Sequence, residues 1–89
     1  MIVNYIINDN MPRELSKETL LKLFGLNVKF QRMKKGLTQE ELANLMNIHL
    51  TYLAKIETGK INMSLAKILE ISKALNIDIN KLLYIEHED

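Results

Sequence analysis

The sequence predicts an all-α protein, a compact five-helix bundle preceded by an N-terminal extension. After residue 12 there is almost no strand signal, and the apolar residues recur at spacings of three and four, which is the period of an amphipathic helix. One proline and three glycines leave few positions that interrupt helices. A chain of 89 residues buries one modest core, so we expect a single folded domain.

The first helix is expected from about Lys17 to Lys35. Ser16 has a side chain suited to the N-cap, and Glu18 in the first turn interacts favourably with the helix dipole. Gly36 marks the end of this helix, because glycine readily adopts the left-handed backbone of a helix C-terminus.

The second and third helices are short and nearly consecutive. Thr38 and Glu41 have the spacing of a capping box at the start of the second helix, which ends near Asn47. The third helix is expected from about His49 to Thr58. Because only one or two residues join the two helices, they must cross steeply, which is the helix-turn-helix geometry.

Two more helices complete the bundle. The fourth begins after Ser64 and ends at Asn76, and a short fifth helix is capped by Asp78. The apolar face of the fourth helix is assigned to Leu65, Ile68, Leu69, Ser72 and Leu75. We divide the chain into an extension at 1–19, a helix-turn-helix domain at 20–85 and an acidic tail at 86–89.

Composition argues against several classes of protein. Without cysteine there is neither a disulfide nor a thiolate metal cluster, and His49 and His87 have no ligand-like spacing. The chain has no phosphate-binding loop and no Ser, His and Asp set that suggests catalysis. The apolar N-terminal stretch is too short to span a bilayer. We therefore expect a cytoplasmic protein with no catalytic residue, cofactor, metal, membrane contact or small-molecule substrate.

The charge is unevenly distributed along the chain. Residues 22–60 contain seven basic and three acidic side chains, whereas the remainder contains five basic and eight acidic ones. This asymmetry suggests a polyanionic partner that meets one face of the protein. The alternative is that these charged side chains lie on ordinary solvated helix surfaces. The charge pattern alone favours this alternative.

A family resemblance covers most of the chain after Leu23. Residues 36–83 read GLTQEELANLMNIHLTYLAKIETGKINMSLAKILEISKALNIDINKLL, and this stretch resembles the Cro/CI-type helix-turn-helix (XRE) family of phage and bacterial transcription regulators, which have lambda-repressor-like DNA-binding domains. A narrower similarity, HLTYLAKIE followed by NMSL, is to the controller proteins of restriction–modification systems. The resemblance implies a sequence-specific repressor or activator whose partner is a double-stranded DNA operator.

The same resemblance implies a set of DNA-contacting residues at the start of helix two, along helix three and in the loop after it. They are Gln39, His49, Leu50, Thr51, Tyr52, Lys55, Thr58, Lys60 and Asn62. Gln39 is expected against a phosphate. Lys60 is equally well explained as a solvated loop lysine. Leu50 stands where related helices often carry Gln or Arg, and leucine can contact only a thymine methyl.

Two structural roles also follow from the resemblance. Arg32 is expected to form an ion pair with Glu57, which would hold helix one to helix three. Because one such module reads about half a turn of duplex, we also expect a homodimer. The family commonly uses its fourth and fifth helices for this contact, so the expected interface residues are Ile77, Ile79, Leu83, Tyr84 and Ile85.

The first helix carries a second apolar stripe, which consists of Leu23, Leu26, Phe30 and Met33. Such a stripe needs a cover. The extension at 1–19 is the candidate, packing on helix one or on a partner subunit. Two alternative functions stay open at this point. One is the antitoxin of a toxin–antitoxin pair, which keeps DNA binding, and the other is a protein-binding module built on a helix-turn-helix scaffold.

Overall fold

The computed structural model describes residues 15–85. Within this range the chain forms α-helices and no strand, so the all-α prediction is confirmed. The helices are α1 (Lys17–Lys34), α2 (Gln39–Met46), α3 (Leu50–Glu57), α4 (Leu65–Leu75) and α5 (Asn80–Leu83). Residues 17–19, which we assigned to the extension, form the first turn of α1. The expected packing of residues 1–14 and the acidic tail at 86–89 lie outside the described residues.

Local side-chain chemistry sets the ends of the helices. The Ser16 hydroxyl accepts a hydrogen bond from the Thr19 N–H, and Thr38 and Glu41 form both bonds of the capping box. α2 ends at Asn47 with φ of 55°, a left-handed conformation that asparagine tolerates better than most residues. At the start of α5 the Asp78 carboxylate accepts from the Asn80 N–H at 2.9 Å. The predicted N-caps of α1 and α2 are therefore present, whereas the N-cap position of α5 is Ile79 and Asp78 precedes it.

One core joins all five helices. It contains the buried side chains Phe24, Val28, Leu42, Ala43, Leu53, Ile56, Ile68, Ile71, Leu75 and Leu82. α1 packs against α3, α4 and α5, and α2 packs against α3 and α4. The α2–α3 pair therefore rests on a platform formed by the other helices.

The predicted apolar face of α4 was correct at Ile68, Ser72 and Leu75, which are buried, and wrong at Leu65 and Leu69. Leu65 is 75% exposed and Leu69 is also exposed, whereas Ile71 is fully buried between Ile68 and Leu75. Apolar residues occur on both flanks of this helix, so periodicity alone does not decide which flank meets the core. Leu65 and Leu69 consequently lie on the surface.

Two glycines allow α1 to approach the end of α3 closely. A Cβ added at Gly25 would lie 2.5 Å from the Ile56 carbonyl oxygen, and one at Gly59 would lie 2.7 Å from the Lys22 Cα. Gly59 also has φ of +78°, which favours glycine. Side chains of α1 are thereby brought beside the C-terminus of α3.

The second apolar stripe of α1 faces away from the core. Phe30 is 61% exposed, Leu26 and Met33 are similarly exposed, and Leu23 is half-buried. The Lys34 ammonium lies 5.9 Å from the centre of the Phe30 ring. Within residues 15–85 no helix has the length and apolar content needed to cross a membrane.

Candidate nucleic-acid interface

α3 presents a surface that is apolar at its start and polar further on. Leu50 is its first residue and is 44% exposed, and Thr51 and Lys55 are exposed on the same side of the helix. Leu53 and Ile56 are buried on the opposite side. The structure therefore places three of the expected DNA-contacting residues together on the outward face of a short helix.

His49 and Tyr52 lie at the margins of this face. His49 is exposed at the N-cap position of α3, where its side chain makes no capping hydrogen bond. Tyr52 is half-buried and packs against the core, so only part of its ring reaches the surface. Ala54 is half-buried on the same helix and was not singled out from the sequence. A methyl side chain at this position leaves room for a close approach to α3.

Gln39 is held by the last residue of α3. Its amide Nε2 donates to Glu57 Oε1 at 2.9 Å, and the same carboxylate accepts two hydrogen bonds from Arg32. The structure thus brings together Arg32 and Glu57, as the expected ion pair requires. It adds Gln39 to that network, a contact that sequence spacing alone does not reveal because the two residues are eighteen positions apart.

The start of α2 also carries outward-pointing backbone donors. The capping box uses the N–H groups of Thr38 and Glu41, which leaves those of Gln39 and Glu40 at the end of the helix. The partial positive charge of a helix N-terminus favours an anion there. This end of α2 is thus suited to a phosphate oxygen.

A depression of about 330 Å³ opens beside Gln39. It is lined by Lys22, Leu26, Lys29, Gln39, Glu57 and Thr58. The lysines belong to α1 and were not among the expected DNA-contacting residues. The close contacts at Gly25 and Gly59 place the two lysines at this depression. The sequence signal that could have indicated this close approach was a glycine inside a helical pattern.

The three residues expected after α3 are separated in the structure. The Thr58 hydroxyl donates to the Ala54 carbonyl oxygen at 2.9 Å, beside the depression. Lys60 is exposed in the loop. Asn62 instead lines a different groove with Leu20 and Met63, between α1, α4 and α5. Asn62 is therefore not brought together with Gln39 and Thr58.

That second groove has a volume of about 430 Å³ and is predominantly apolar. Leu20, Leu65, Leu83 and Ile85 contribute to its walls. Leu65, which is 75% exposed, lies at one rim. An open apolar groove of this kind is a candidate for a protein contact.

The residues expected at a dimer interface differ in exposure. Ile85 is only 3% exposed and belongs to the core, whereas Tyr84 is 40% exposed. Ile77, Ile79 and Leu83 are half-buried and pack against the core.

A side chain of α1 fixes the end of α5. The Asn27 amide Nδ2 donates to the Leu82 and Tyr84 carbonyl oxygens at 2.9 and 2.6 Å. Asn27 was not singled out from the sequence, because its partners are more than fifty residues away.

The fold and the outward face of α3 define a helix-turn-helix protein. The family model HTH_3, described as helix-turn-helix, matches residues 28–82. The chain belongs to this family, and the predicted XRE-type resemblance is confirmed. It is a DNA-binding transcription regulator.

Named relatives agree with this family. Control protein C.BamHI of Bacillus amyloliquefaciens is 44% identical over 62 residues, which cover 68% of this chain and 76% of the relative. Control protein C.SmaI of Serratia marcescens is 37% identical over 62 residues, with coverage of 70% and 74%. The crystal structure of the restriction-modification controller protein C.AhdI from Aeromonas hydrophila is similar, with a TM-score of 0.66 and 39% identity. That match covers 70% of this chain and 94% of that protein.

Proposed function

We propose that this chain binds operator DNA as a homodimer, with α3 of each protomer in the major groove. The observation that carries the proposal is the outward face of α3, where Leu50, Thr51 and Lys55 are exposed together while Gln39 is held against the helix end. A helix of this exposure and length fits the major groove, where base edges are distinguishable. Its action is binding, without catalysis.

Base reading is assigned to the start and middle of α3. Leu50 contacts a thymine methyl, since its side chain has no hydrogen-bonding group. Thr51, Lys55 and the exposed part of Tyr52 supply hydrogen bonds to base edges or nearby phosphates, and His49 lies where it can reach the same strand. With so few direct hydrogen bonds, the shape of the DNA contributes to specificity.

Phosphate binding is assigned to the residues around that helix. Gln39 uses its second amide N–H and the backbone N–H groups at the start of α2 for one phosphate. Lys60 contributes a point charge, and the Thr58 side chain flanks the loop, whereas Asn62 lines the other groove and is not assigned to phosphate. These contacts position α3 and make binding sensitive to salt.

The dimer contact is assigned to the apolar groove between α1, α4 and α5, with a second copy of the chain as its occupant. Leu83 lines this groove and Tyr84 follows it, and Ile77 and Ile79 are partly buried side chains that pack against the core. Leu65 and Leu20 extend the same surface. Ile85 supports it from the core. A two-fold axis through such a surface relates two α3 helices, as a site with two half-sites requires.

The N-terminal extension is assigned a covering role. Phe30 and Met33, the part of the second apolar stripe that lies outside the depression beside Gln39, are exposed in the described part of the chain. Apolar side chains in residues 1–14, including Ile2, Val3 and Ile6, are suited to pack on it in the same protomer or in a partner.

The biological role proposed is that of a controller in a restriction–modification system, acting in the cytoplasm. Support comes from the relatives named control proteins, which include C.BamHI and C.SmaI. The arrangement of neighbouring genes tests it. A restriction endonuclease gene and a methyltransferase gene beside this one support the controller role, and a toxin gene in that place supports the antitoxin role instead.

The binding proposal is tested by fluorescence anisotropy on DNA taken from immediately upstream of the gene. Titrations at 50 and 200 mM salt, with shuffled DNA of equal length as the control, separate specific from non-specific binding. We expect tighter binding to the upstream DNA and a strong loss of affinity at the higher salt. Equal and salt-independent weak binding to both DNAs would overturn the proposal.

A further inference from the structure

We propose that Lys22 and Lys29 form an additional phosphate-binding site on α1, which extends the DNA interface beyond the helix-turn-helix pair. This inference rests on the proposed function, and it names a part of the interface that the family resemblance did not supply. The ligand is the phosphodiester backbone of the operator, on the strand that runs past Gln39.

The geometry places both lysines on the rim of one depression. They are seven residues apart, which is about two helical turns and ~10.5 Å along α1, on nearly the same side of the helix. Both are exposed, and both line the depression that contains Gln39 and Thr58. The site therefore adjoins the residues already assigned to phosphate.

The position of Lys22 is fixed by its neighbour in the fold. A Cβ on Gly59 would meet the Lys22 Cα at 2.7 Å and its Cγ at 2.9 Å, so the lysine stem passes directly over Gly59. Lys60 follows Gly59 in the chain, so two lysines from different elements start close together. Their charges add at the end of α3.

The charge balance of the depression favours an anion. Its one carboxylate, Glu57, is 4% exposed and accepts hydrogen bonds from Arg32 and Gln39. Lys22 and Lys29 form no ion pair with any residue in the range 15–85. In contrast, Lys67 pairs with Glu70 at 3.3 Å. The two lysines of α1 thus present uncompensated positive charge around a concave surface, where a phosphate group is the matching ligand.

Phosphate contacts carry no sequence information. Loss of the site should therefore change the salt dependence of binding and leave the preference for operator DNA unchanged. Each lysine that neutralises a phosphate adds about 0.9 to the slope of log affinity against log salt. Loss of both should therefore reduce the slope by roughly 1.8 for each bound protomer. The ratio of affinities for operator and random DNA should stay the same, because both DNAs present the same backbone.

The test compares the double variant Lys22→Gln, Lys29→Gln with wild type in anisotropy titrations on upstream and shuffled DNA at four salt concentrations. The matched control is Lys73→Gln, Lys81→Gln, which removes the same charge from exposed positions on α4 and α5. We expect the shallower slope only in the first variant, with thermal melts of both variants close to wild type. Suppose that wild type shows a steep slope of log affinity against log salt. If the Lys22, Lys29 variant keeps that slope, or if both variants lose the same amount of slope, the α1 site is wrong while the proposed function stands. If wild type itself shows no salt-dependent binding, the proposed function and this inference both fail.

Discussion

Arg32 and Glu57 form a two-point ion pair between α1 and the last residue of α3. Arg32 Nε lies 2.7 Å from Glu57 Oε2, and a second guanidinium nitrogen lies 3.1 Å from Oε1. The side chains are only 9% and 2% exposed. Arg32 also donates to the Leu37 carbonyl oxygen at 2.7 Å, and Glu57 accepts from Gln39. One buried network therefore joins α1, the turn after it, the start of α2 and the end of α3.

Removal of one partner from this network should destabilise the fold strongly. Glu57→Ala leaves the buried Arg32 guanidinium without its carboxylate, and we expect a loss of about 3–5 kcal/mol in the free energy of unfolding. Urea denaturation followed by circular dichroism measures this loss. The double variant Arg32→Met, Glu57→Leu removes both charges and should recover most of the stability. A Glu57→Ala protein that melts like wild type and binds a different DNA sequence would contradict the structural role of the pair.

The close contact between Gly59 and Lys22 predicts that substitution by alanine costs more stability at Gly59 than at Gly36. Gly36 and Gly59 have φ of +73° and +78°, so alanine is strained at both, by about 1–3 kcal/mol. At Gly36 an added Cβ meets nothing within 4 Å, whereas at Gly59 it meets Lys22 backbone atoms at 2.7 and 2.8 Å. Gly59→Ala should therefore cost clearly more stability than Gly36→Ala in thermal denaturation. Equal losses would mean that α1 moves away easily from the end of α3.

The exposed Leu50 predicts a change of base preference. Leu50→Arg introduces a bidentate donor at the start of α3, so selection from a randomised operator library should shift from thymine to guanine at one position in each half-site. Leu45→Arg serves as the control, because it adds the same charge at an exposed position on α2. An unchanged preference in the Leu50 variant would show that this side chain does not face the groove.

The apolar groove predicts the site of dimerisation. Leu65→Glu places a charge at its exposed rim and should weaken self-association at least tenfold in sedimentation equilibrium, without changing the monomer's secondary structure. Leu45→Glu is the matched control, since Leu45 is also an exposed leucine but lies on α2. A Leu65 variant that dimerises like wild type would place the interface elsewhere.

The ends of the helices were predictable because their signals are local. Ser16, Thr38 with Glu41, Asn47 and Asp78 each bond within three residues of a helix terminus, and spacing in the sequence is enough to find them. The outward face of α3 was predictable for a similar reason, since its period separates Leu53 and Ile56 from the exposed residues.

The features that could not be predicted from the sequence depend on how the helices cross. Lys22 and Lys29 line the depression beside Gln39 because Gly25 allows α1 to lie on the end of α3, and no local pattern encodes that angle. The bond from Gln39 to Glu57 has the same origin. The buried flank of α4 was assigned incorrectly at Leu65 and Leu69 because both flanks of that helix are apolar, and only packing against α2 and α1 selects between them.

The most direct test of DNA reading by α3 is a hydroxyl-radical and dimethyl-sulfate footprint of the chain on the DNA upstream of its gene. Binding by a dimer that places one α3 in each of two major grooves should protect two half-sites related by a two-fold axis, with centres one helical turn or a multiple of it apart. The footprint of Gln39→Ala should lose backbone protection at the edge of each half-site. Protection of a single unpaired site, or no protection at concentrations that saturate the anisotropy signal, would contradict the account.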